Sequence, residues 1–138
     1  MNRQYTYEQI EQLIPQRAPI KMIDSAVSVE NLSVQTSLLV RDSNWFYSDG
    51  YLLEAGLVEH IAQSAAAMVG MKNEDAPKEG YIGDIKNFKV SRLPRLGELI
   101  QSRVMVIAQL DSITMVEAES KIGNELVASA QMKVFLAE

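Results

Sequence analysis

The sequence contains no cysteine and only one histidine, and both shortages narrow the chemistry that it can support. Without cysteine the chain can form no disulfide, no thiolate metal site and no cysteine nucleophile. The one histidine, His60, cannot hold a metal by itself, and no second histidine or dense acidic cluster with ligand spacing accompanies it. We therefore expect neither a metal nor a cofactor, and nothing in the composition indicates an oxidising compartment.

Long apolar runs and basic surfaces are also scarce. No stretch approaches the roughly 20 apolar residues that span a bilayer, and the opening MNRQY is too polar for a signal peptide. We therefore expect a cytoplasmic protein without a membrane span. The formal net charge is −5, which disfavours a nucleic-acid partner because phosphate neutralisation needs a basic face. A local basic cluster at 86–95 fits either a charged strand edge or a docking patch for an acidic carrier.

What is present is enough for one core. With 138 residues, 47% of them hydrophobic, the chain fits a single domain, 1–138. No glycine-rich nucleotide loop and no GxSxG elbow occurs, so nucleotide binding and serine hydrolase chemistry lack support.

The apolar periodicity predicts an α+β fold. It indicates a short helix at 7–13, a strand hairpin at 22–30 and 33–40, and an irregular loop at 41–51. A charged loop at 72–80 precedes a predicted four-strand meander, with strands at 81–90, 98–110, 113–122 and 126–136. Since strands and helices do not alternate, a doubly wound parallel sheet is disfavoured.

The segment LEAGLVEHIAQSAAAMVGM, residues 53–71, predicts a buried helix because its small residues are distributed over almost all sides of the helix. Its polar members include Glu59, His60 and Gln63. Glu59 and Gln63 are four residues apart and share a face, whereas His60 is turned about 100° away. For Glu59 two interpretations remain open: a proton-transfer group lining a pocket, or a structural carboxyl held by a hydroxyl or amide. His60 is either a packed or interface residue or a helper in catalysis.

Three stretches in order along the chain carry a family resemblance: LIPQRAPIKMID at 13–24, GLVEHIAQ at 56–63, and GYIGDIKNFKV at 80–90 followed by Pro94 and Gly97. They resemble three motifs of the 3-hydroxyacyl-[acyl-carrier-protein] dehydratases of fatty-acid synthesis. Those motifs are L-L-P-H-R-x-P-x-L-x-x-D, V-E-x-x-A-Q and G-x-D-x-x-x-F-x-x-x-V-x-P-G-D.

The resemblance implies a hotdog fold, an antiparallel sheet wrapped around one long central helix, with sites at the interface of a homodimer or larger hotdog oligomer. It implies an acyl-carrier-protein or acyl-CoA thioester as substrate and Glu59 as acid or base. Amides at the start of the helix would polarise the thioester carbonyl. We predict as further catalytic residues His60 and Tyr47, with Asp49 as another possible helper. The predicted substrate-binding residues are Gly56, Leu57, Gln63, Trp45 and Phe88.

One departure from the dehydratases is a missing histidine. In that family a loop histidine precedes the helix glutamate by about fourteen positions in G-H-F-P-G, but here the region reads NWFYSDG, residues 44–50. Gln16 likewise replaces the histidine of the opening motif. A closer resemblance is to the dehydratase-like hotdog proteins of aryl-polyene and flexirubin-type pigment clusters, whose helix carries W-V-G-x-E-x-M-A-Q.

Three functions remain open at this point. The first is a dehydratase or accessory dehydratase subunit acting on carrier-bound 3-hydroxyacyl groups in fatty-acid or polyene synthesis. The second is a hotdog acyl-thioesterase that needs no loop histidine. The third is a catalytically silent subunit that binds acyl chains or completes a heteromer with another hotdog protein.

Overall fold

A computed structural model describes residues 3–29, 33–72 and 80–136. Within these ranges a 3₁₀ helix spans Gln9–Gln12, and one α-helix, α1, spans Glu54–Lys72. The strands in the described ranges are β1 (Gln4–Tyr5), β2 (Ser25–Ser28), β3 (Ser33–Leu39), β4 (Tyr47–Ser48), β5 (Tyr51–Leu52), β6 (Gly80–Val90), β7 (Leu99–Leu110), β8 (Ile113–Ile122) and β9 (Glu125–Leu136).

Seven of these strands form one antiparallel sheet in the order β1-β2-β3-β7-β8-β9-β6. Helix α1 lies across it and contacts strands from β2 on one side to β6 on the other. The α+β class is thereby confirmed. The prediction of a four-strand meander was wrong, because only β7, β8 and β9 follow one another, while β6 pairs with β9 at the far edge.

The connection at 91–98 explains this order, because it bonds to the chain before α1 instead of closing a hairpin. Its backbone exchanges four hydrogen bonds with that region, each 2.9 Å: Leu52 N–H to Pro94 O, Leu96 N–H to Gly50 O, Gly97 N–H to Val40 O and Val40 N–H to Glu98 O. These bonds leave no tight turn between β6 and β7, so β7 pairs with β3.

Helix α1 matches the prediction at 53–71 to within one residue at each end. Many of its residues are small, and Ala65 and Ala67 have no exposed surface. Gly70 marks the closest approach, since a Cβ there would lie 2.5 Å from the Leu13 carbonyl oxygen. The small side chains therefore let the segment around Leu13 reach the helix backbone.

The core consists of two clusters. The larger one packs α1 residues such as Ile61 against Val104 and Val116 of the central strands. The second lies at the start of α1 and joins Leu52 and Leu57 to Met22. Half-buried Phe88 of β6 contacts both clusters.

Three local predictions differ from the structure. The helix expected at 7–13 is reduced to one 3₁₀ turn, with Leu13 N–H donating to Ile10 O at 2.8 Å. The loop expected at 41–51 contains the small β4–β5 hairpin, whose turn places Asp49 and Gly50 at φ 48° and 92°. The strand expected at 22–30 begins only at Ser25.

The turn expected at Glu30-Asn31 and most of the charged loop expected at 72–80 lie outside the described residues. Among the residues described, no helix has the length and apolar character that crossing a membrane requires.

Candidate active site

Glu59 lies on the stripe of α1 that the sheet covers least. Half-buried or exposed residues recur along this stripe at Ala55, Glu59, Ala62 and Ala66, at helical spacing. Glu59 is the charged member among small apolar neighbours and is itself half-buried. The stripe therefore presents one half-buried carboxyl group among small apolar side chains.

Gln63 holds the Glu59 carboxyl in place. The Gln63 amide nitrogen donates to Glu59 Oε2 at 3.2 Å and to the Ile20 carbonyl oxygen at 2.9 Å. Its amide oxygen accepts the Met22 N–H at 2.6 Å. Because Gln63 is only 1% exposed and fully engaged, the geometry places it behind the carboxyl. This hydrogen bond agrees with the prediction that Glu59 and Gln63 lie on the same face of α1.

His60 is enclosed in the core. It has no exposed surface, its Nδ1 lies 2.7 Å from the Met22 carbonyl oxygen, and its Nε2 lies 2.8 Å from Ser102 Oγ. Both ring nitrogens are therefore occupied on the side of α1 away from the stripe that carries Glu59. This arrangement matches the packed-residue alternative that the sequence left open.

The partners of His60 determine where its proton sits. A carbonyl oxygen can only accept, so Nδ1 carries the hydrogen and Nε2 accepts from the Ser102 hydroxyl. Burial lowers the pKa of His60 below its ordinary 6.5, although the Met22 carbonyl and the Asp24 charge act in the opposite direction. The imidazole is consequently neutral at physiological pH.

Buried hydroxyls complete this network, and sequence reasoning did not find them. Ser102 also meets Ser120 Oγ at 2.6 Å, and one turn along α1 Ser64 donates to the His60 carbonyl oxygen at 2.7 Å and meets Thr36 Oγ1 at 2.7 Å. The sequence does contain a signal for these hydroxyls, because Thr36, Ser102 and Ser120 occupy strand positions where the alternation of apolar and polar residues predicts an inward side chain. A hydroxyl at such a position needs a partner.

Gly56 and Leu57, the predicted carbonyl-binding donors, have their amides engaged. Both N–H groups donate to the Leu53 carbonyl oxygen, at 2.9 and 3.2 Å. Leu57 is fully buried, and a Cβ on Gly56 would lie 2.7 Å from Leu52 Cδ1 and 2.8 Å from Phe46 Cβ. The glycine is therefore explained by close packing against the β4–β5 hairpin.

The aromatic residues predicted at the site lie on the flanks of α1. Tyr47 is half-buried in β4 and packs against the second core cluster, as Phe88 does. Trp45 is 61% exposed beside them. Asp49 occupies the left-handed position of the hairpin turn, which accounts for it without chemistry. The hydrogen bonds thus bring together Glu59, Gln63 and, through Met22, His60, but not these aromatic residues.

Two cavities formed by described residues are not lined by Glu59. One, of about 390 Å³, lies on the outer face of the sheet, where Gln35, Arg103 and Glu119 line it. The other, of about 450 Å³, lies between Tyr7, Lys21 and Arg41.

The basic cluster is less basic than its sequence suggests. Arg92 forms a two-pronged ion pair with Glu98, at 2.8 and 2.9 Å, and a second pair with Glu125 at 3.0 Å. Its guanidinium lowers the pKa of Glu98 to about 2. Lys86, Lys89 and Arg95 stay exposed around it. In the described part of the chain no group of three acidic or histidine side chains is arranged to hold a metal ion.

Comparison with known proteins identifies the family of this chain. A model of the ApeP-like family, described as ApeP dehydratase, matches residues 8–138. The 3-hydroxyacyl-[acyl-carrier-protein] dehydratase FabZ of Lactiplantibacillus plantarum is 23% identical over 130 residues, covering 90% of this chain and 88% of that protein. FabZ of Anoxybacillus flavithermus is 25% identical over 137 residues, covering 95% and 96%. The predicted resemblance to these dehydratases is confirmed.

Solved structures show the same fold. A chain of the dehydratase heterocomplex ApeI:P from Xenorhabdus doucetiae matches with a TM-score of 0.85 at 15% identity, covering 94% of this chain and 91% of that chain. A hypothetical thioesterase protein with coenzyme A from Streptococcus pneumoniae matches with a TM-score of 0.65 at 11% identity, covering 80% and 82%. The hotdog fold is thereby confirmed, and at these identities the structural match is evidence for the fold alone.

Proposed function

Because this chain belongs to the ApeP dehydratase family, we propose that it is a dehydratase subunit acting on 3-hydroxyacyl groups held as thioesters on an acyl carrier protein. The observation that carries the proposal is the contrast between Glu59, half-exposed in a stripe of small residues, and the enclosed polar network behind it. Relatives of similar length are named as dehydratases of carrier-bound 3-hydroxyacyl groups, which supports the same substrate class here.

The reaction requires one proton to leave and another to arrive. A base removes the proton from C2, the C3–oxygen bond breaks, a C2–C3 double bond forms, and an acid protonates the departing hydroxyl to give water. Glu59 supplies one of these two groups. Its Oε2 accepts a hydrogen bond from Gln63, so Oε1 is the oxygen that exchanges the proton.

We assign the polarisation of the thioester carbonyl to the exposed start of α1 at 54–55, where the first amides of a helix have no partner within it. The earlier prediction named Gly56 and Leu57 for this role. Their N–H groups already donate to Leu53, so we reassign the role to the amides before them. Exposed Trp45 and half-buried Phe88 remain our proposal for residues that contact the acyl chain.

The second catalytic group comes from a different subunit in this proposal. A homodimer of this chain brings only His60 copies, and His60 is enclosed with both ring nitrogens occupied. A second hotdog protein that carries the loop histidine would complete the site beside Glu59. The naming of one structural neighbour as a dehydratase heterocomplex agrees with such an arrangement.

An acidic carrier would approach along β6 and the connection that follows it. Lys86, Lys89 and Arg95 are exposed there, whereas Arg92 is neutralised by Glu98 and Glu125. Lys86 also lies 3.8 Å from Asp84, in an exposed ion pair. We propose that these three exposed cations, and not Arg92, contact the carrier. A role in polyene assembly in the cytoplasm follows the same resemblance and belongs to this proposal.

The deciding experiment compares the wild type with Glu59→Gln. The assay follows hydration of a short enoyl thioester on an acyl carrier protein, with the chain alone and mixed with a histidine-bearing hotdog subunit. We expect turnover in the mixture and a loss of about 100-fold or more for Glu59→Gln, since that is the usual contribution of acid–base catalysis.

The control for this experiment is Glu117→Gln, the same chemical change at an exposed position of β8. Its rate should match that of the wild type. If Glu59→Gln were as fast as the wild type in the mixture, the role of Glu59 would be refuted.

Thioester hydrolysis is the second candidate, and the absence of an accessible histidine among the described residues favours it. One carboxyl can assist attack by water on the thioester carbonyl without a histidine. Release of free thiol from an acyl-CoA by the chain alone, lost in Glu59→Gln, would support hydrolysis over dehydration. A chain with no turnover in either assay that copurifies with another hotdog protein would be a silent subunit.

A further inference from the structure

The backbone of Met22 is held from both sides by side chains of α1. Its N–H donates to Gln63 Oε1 at 2.6 Å, and its carbonyl oxygen accepts from His60 Nδ1 at 2.7 Å. Met22 is fully buried but precedes β2, so neither group has a strand partner. Buried backbone groups must find partners, and here the helix supplies both.

We propose that His60 is a positioning residue for Glu59, acting through the backbone of Met22 and the side chain of Gln63. This inference rests on the proposed function, because the carboxyl that His60 positions is the proposed catalytic group. His60 touches neither substrate nor Glu59 itself.

The first step of the argument is the orientation of the Gln63 amide. Only an oxygen can accept from the Met22 N–H, so the NH₂ group of Gln63 must point the other way, toward the Ile20 carbonyl and Glu59 Oε2. The segment 20–22 thus dictates which atom Gln63 offers to Glu59. If this segment shifted, Gln63 would lose the contact that fixes its amide.

The second step is what fixes that segment. The His60 imidazole reaches from α1 to the Met22 carbonyl on one side and to Ser102 of β7 on the other. Ser102 in turn meets Ser120 of β8 at 2.6 Å. Since β7 and β8 are central strands, the ring connects Met22 to the most constrained part of the sheet.

A neighbouring contact shows what a merely structural bond of the same type would look like. One turn along α1, Thr36 Oγ1 meets Ser64 Oγ at 2.7 Å and also joins helix to sheet. The hydroxyls of that pair are not among the groups that bond to Met22 or to the Gln63 side chain, and Ser64 keeps a bond to the His60 carbonyl oxygen if Thr36 is changed. Thr36→Val is therefore a matched control that removes a buried helix-to-sheet bond and leaves the Met22 contacts intact.

The kinetic test compares three variants of the active assembly: His60→Leu, His60→Asn and Thr36→Val. Leucine removes both hydrogen bonds, whereas the asparagine NH₂ group can replace Nδ1–H at the Met22 carbonyl. Small displacements of a catalytic group lower the rate strongly, so we expect kcat of His60→Leu to fall about 10- to 100-fold while KM changes less than about threefold. His60→Asn should recover most of kcat, and Thr36→Val should stay within about twofold of the wild type.

Equal losses in His60→Leu and Thr36→Val would overturn the inference, because a general loss of packing would then explain both. So would wild-type kcat in His60→Leu, or no recovery with asparagine.

A structural measurement separates this inference from the proposed function. In crystal structures of the variants we expect the distance from Gln63 Nε2 to Glu59 Oε2 to exceed hydrogen-bond range in His60→Leu and to stay near 3.2 Å in His60→Asn. An unchanged distance in His60→Leu refutes positioning whatever the activity. A wild type with no turnover on any thioester refutes the proposed function, and the two distances still decide whether His60 positions Glu59.

Discussion

Glu59 and His60 are adjacent in sequence, but the two faces of α1 on which they lie have opposite character. On the face of His60 each polar atom of the ring has a partner, and no surface is exposed. On the face of Glu59 one carboxyl oxygen is bonded and the neighbours are small and half-buried. The contrast teaches that chemistry is to be sought on the less covered face, since the satisfied polar network mainly holds the helix in place.

Small residues also differ in role along the stripe that carries Glu59. Gly70, four residues after Ala66 and on the same side of α1, is needed because the Leu13 backbone lies against it. Ala66 itself is only half-buried. Substitutions at these two positions test the comparison most directly.

The largest effect is expected for a larger side chain where the Leu13 backbone lies against α1. Gly70→Val should lower the free energy of unfolding by about 3 kcal/mol, because Leu13 backbone atoms cannot move away cheaply. Ala66→Val should cost less than about 1 kcal/mol, mostly from lower helix propensity. Urea denaturation measures both, and similar losses at the two positions would contradict the close approach of Leu13 to position 70 alone.

An intermediate effect is expected from breaking the polar network without changing the packing much. Ser102→Ala leaves His60 Nε2 buried without a donor, which costs about 1–3 kcal/mol of stability. Gln101→Ala changes the residue before Ser102 in β7, whose side chain is exposed. Its free energy of unfolding should stay within about 0.5 kcal/mol of the wild type. The same denaturation experiment compares them, and a neutral Ser102→Ala would show that the Ser102 hydroxyl does not stabilise the imidazole.

The smallest effect is the pH dependence contributed by His60. Its folded-state pKa lies below 6.5, so below that pH the unfolded chain binds a proton that the folded chain does not, and stability falls. Between about pH 7.5 and 5.5 the loss is at most about 1.4 kcal/mol, the limit in which folded His60 stays neutral. His60→Asn should remove this part of the slope, and identical pH profiles for both proteins would contradict the neutral buried ring.

Much of the fold could be predicted because the patterns are local. The run of small residues predicted α1 to within one residue at each end, and alternation predicted β8 at its observed bounds, Ile113–Ile122. The β4–β5 hairpin was missed because its strands are two residues long and its polar turn is typical of an irregular loop. The place of β6 was missed because the bonds of the 91–98 connection to distant residues have no sequence signature.

The candidate site could be predicted only in part. Helical spacing placed Glu59 and Gln63 on one face, and the hydrogen bond between them agrees. It could not say which face the sheet covers, so His60 remained an open catalytic candidate. The strand composition at Met22 was equally misleading: its backbone bonds to two side chains of α1, and a period-two pattern cannot reveal such a contact.

The contact with Met22 has a consequence for how this sequence can drift. His60 and Gln63 bind the carbonyl oxygen and the N–H of the Met22 backbone, and every residue type except proline offers both groups. Position 22 can therefore change from one apolar residue to another of similar volume during evolution while both hydrogen bonds are kept. We expect substitutions to be restricted instead at His60 and Gln63, and at Ser102, whose hydroxyl bonds to Nε2 and so keeps the hydrogen of the imidazole on Nδ1.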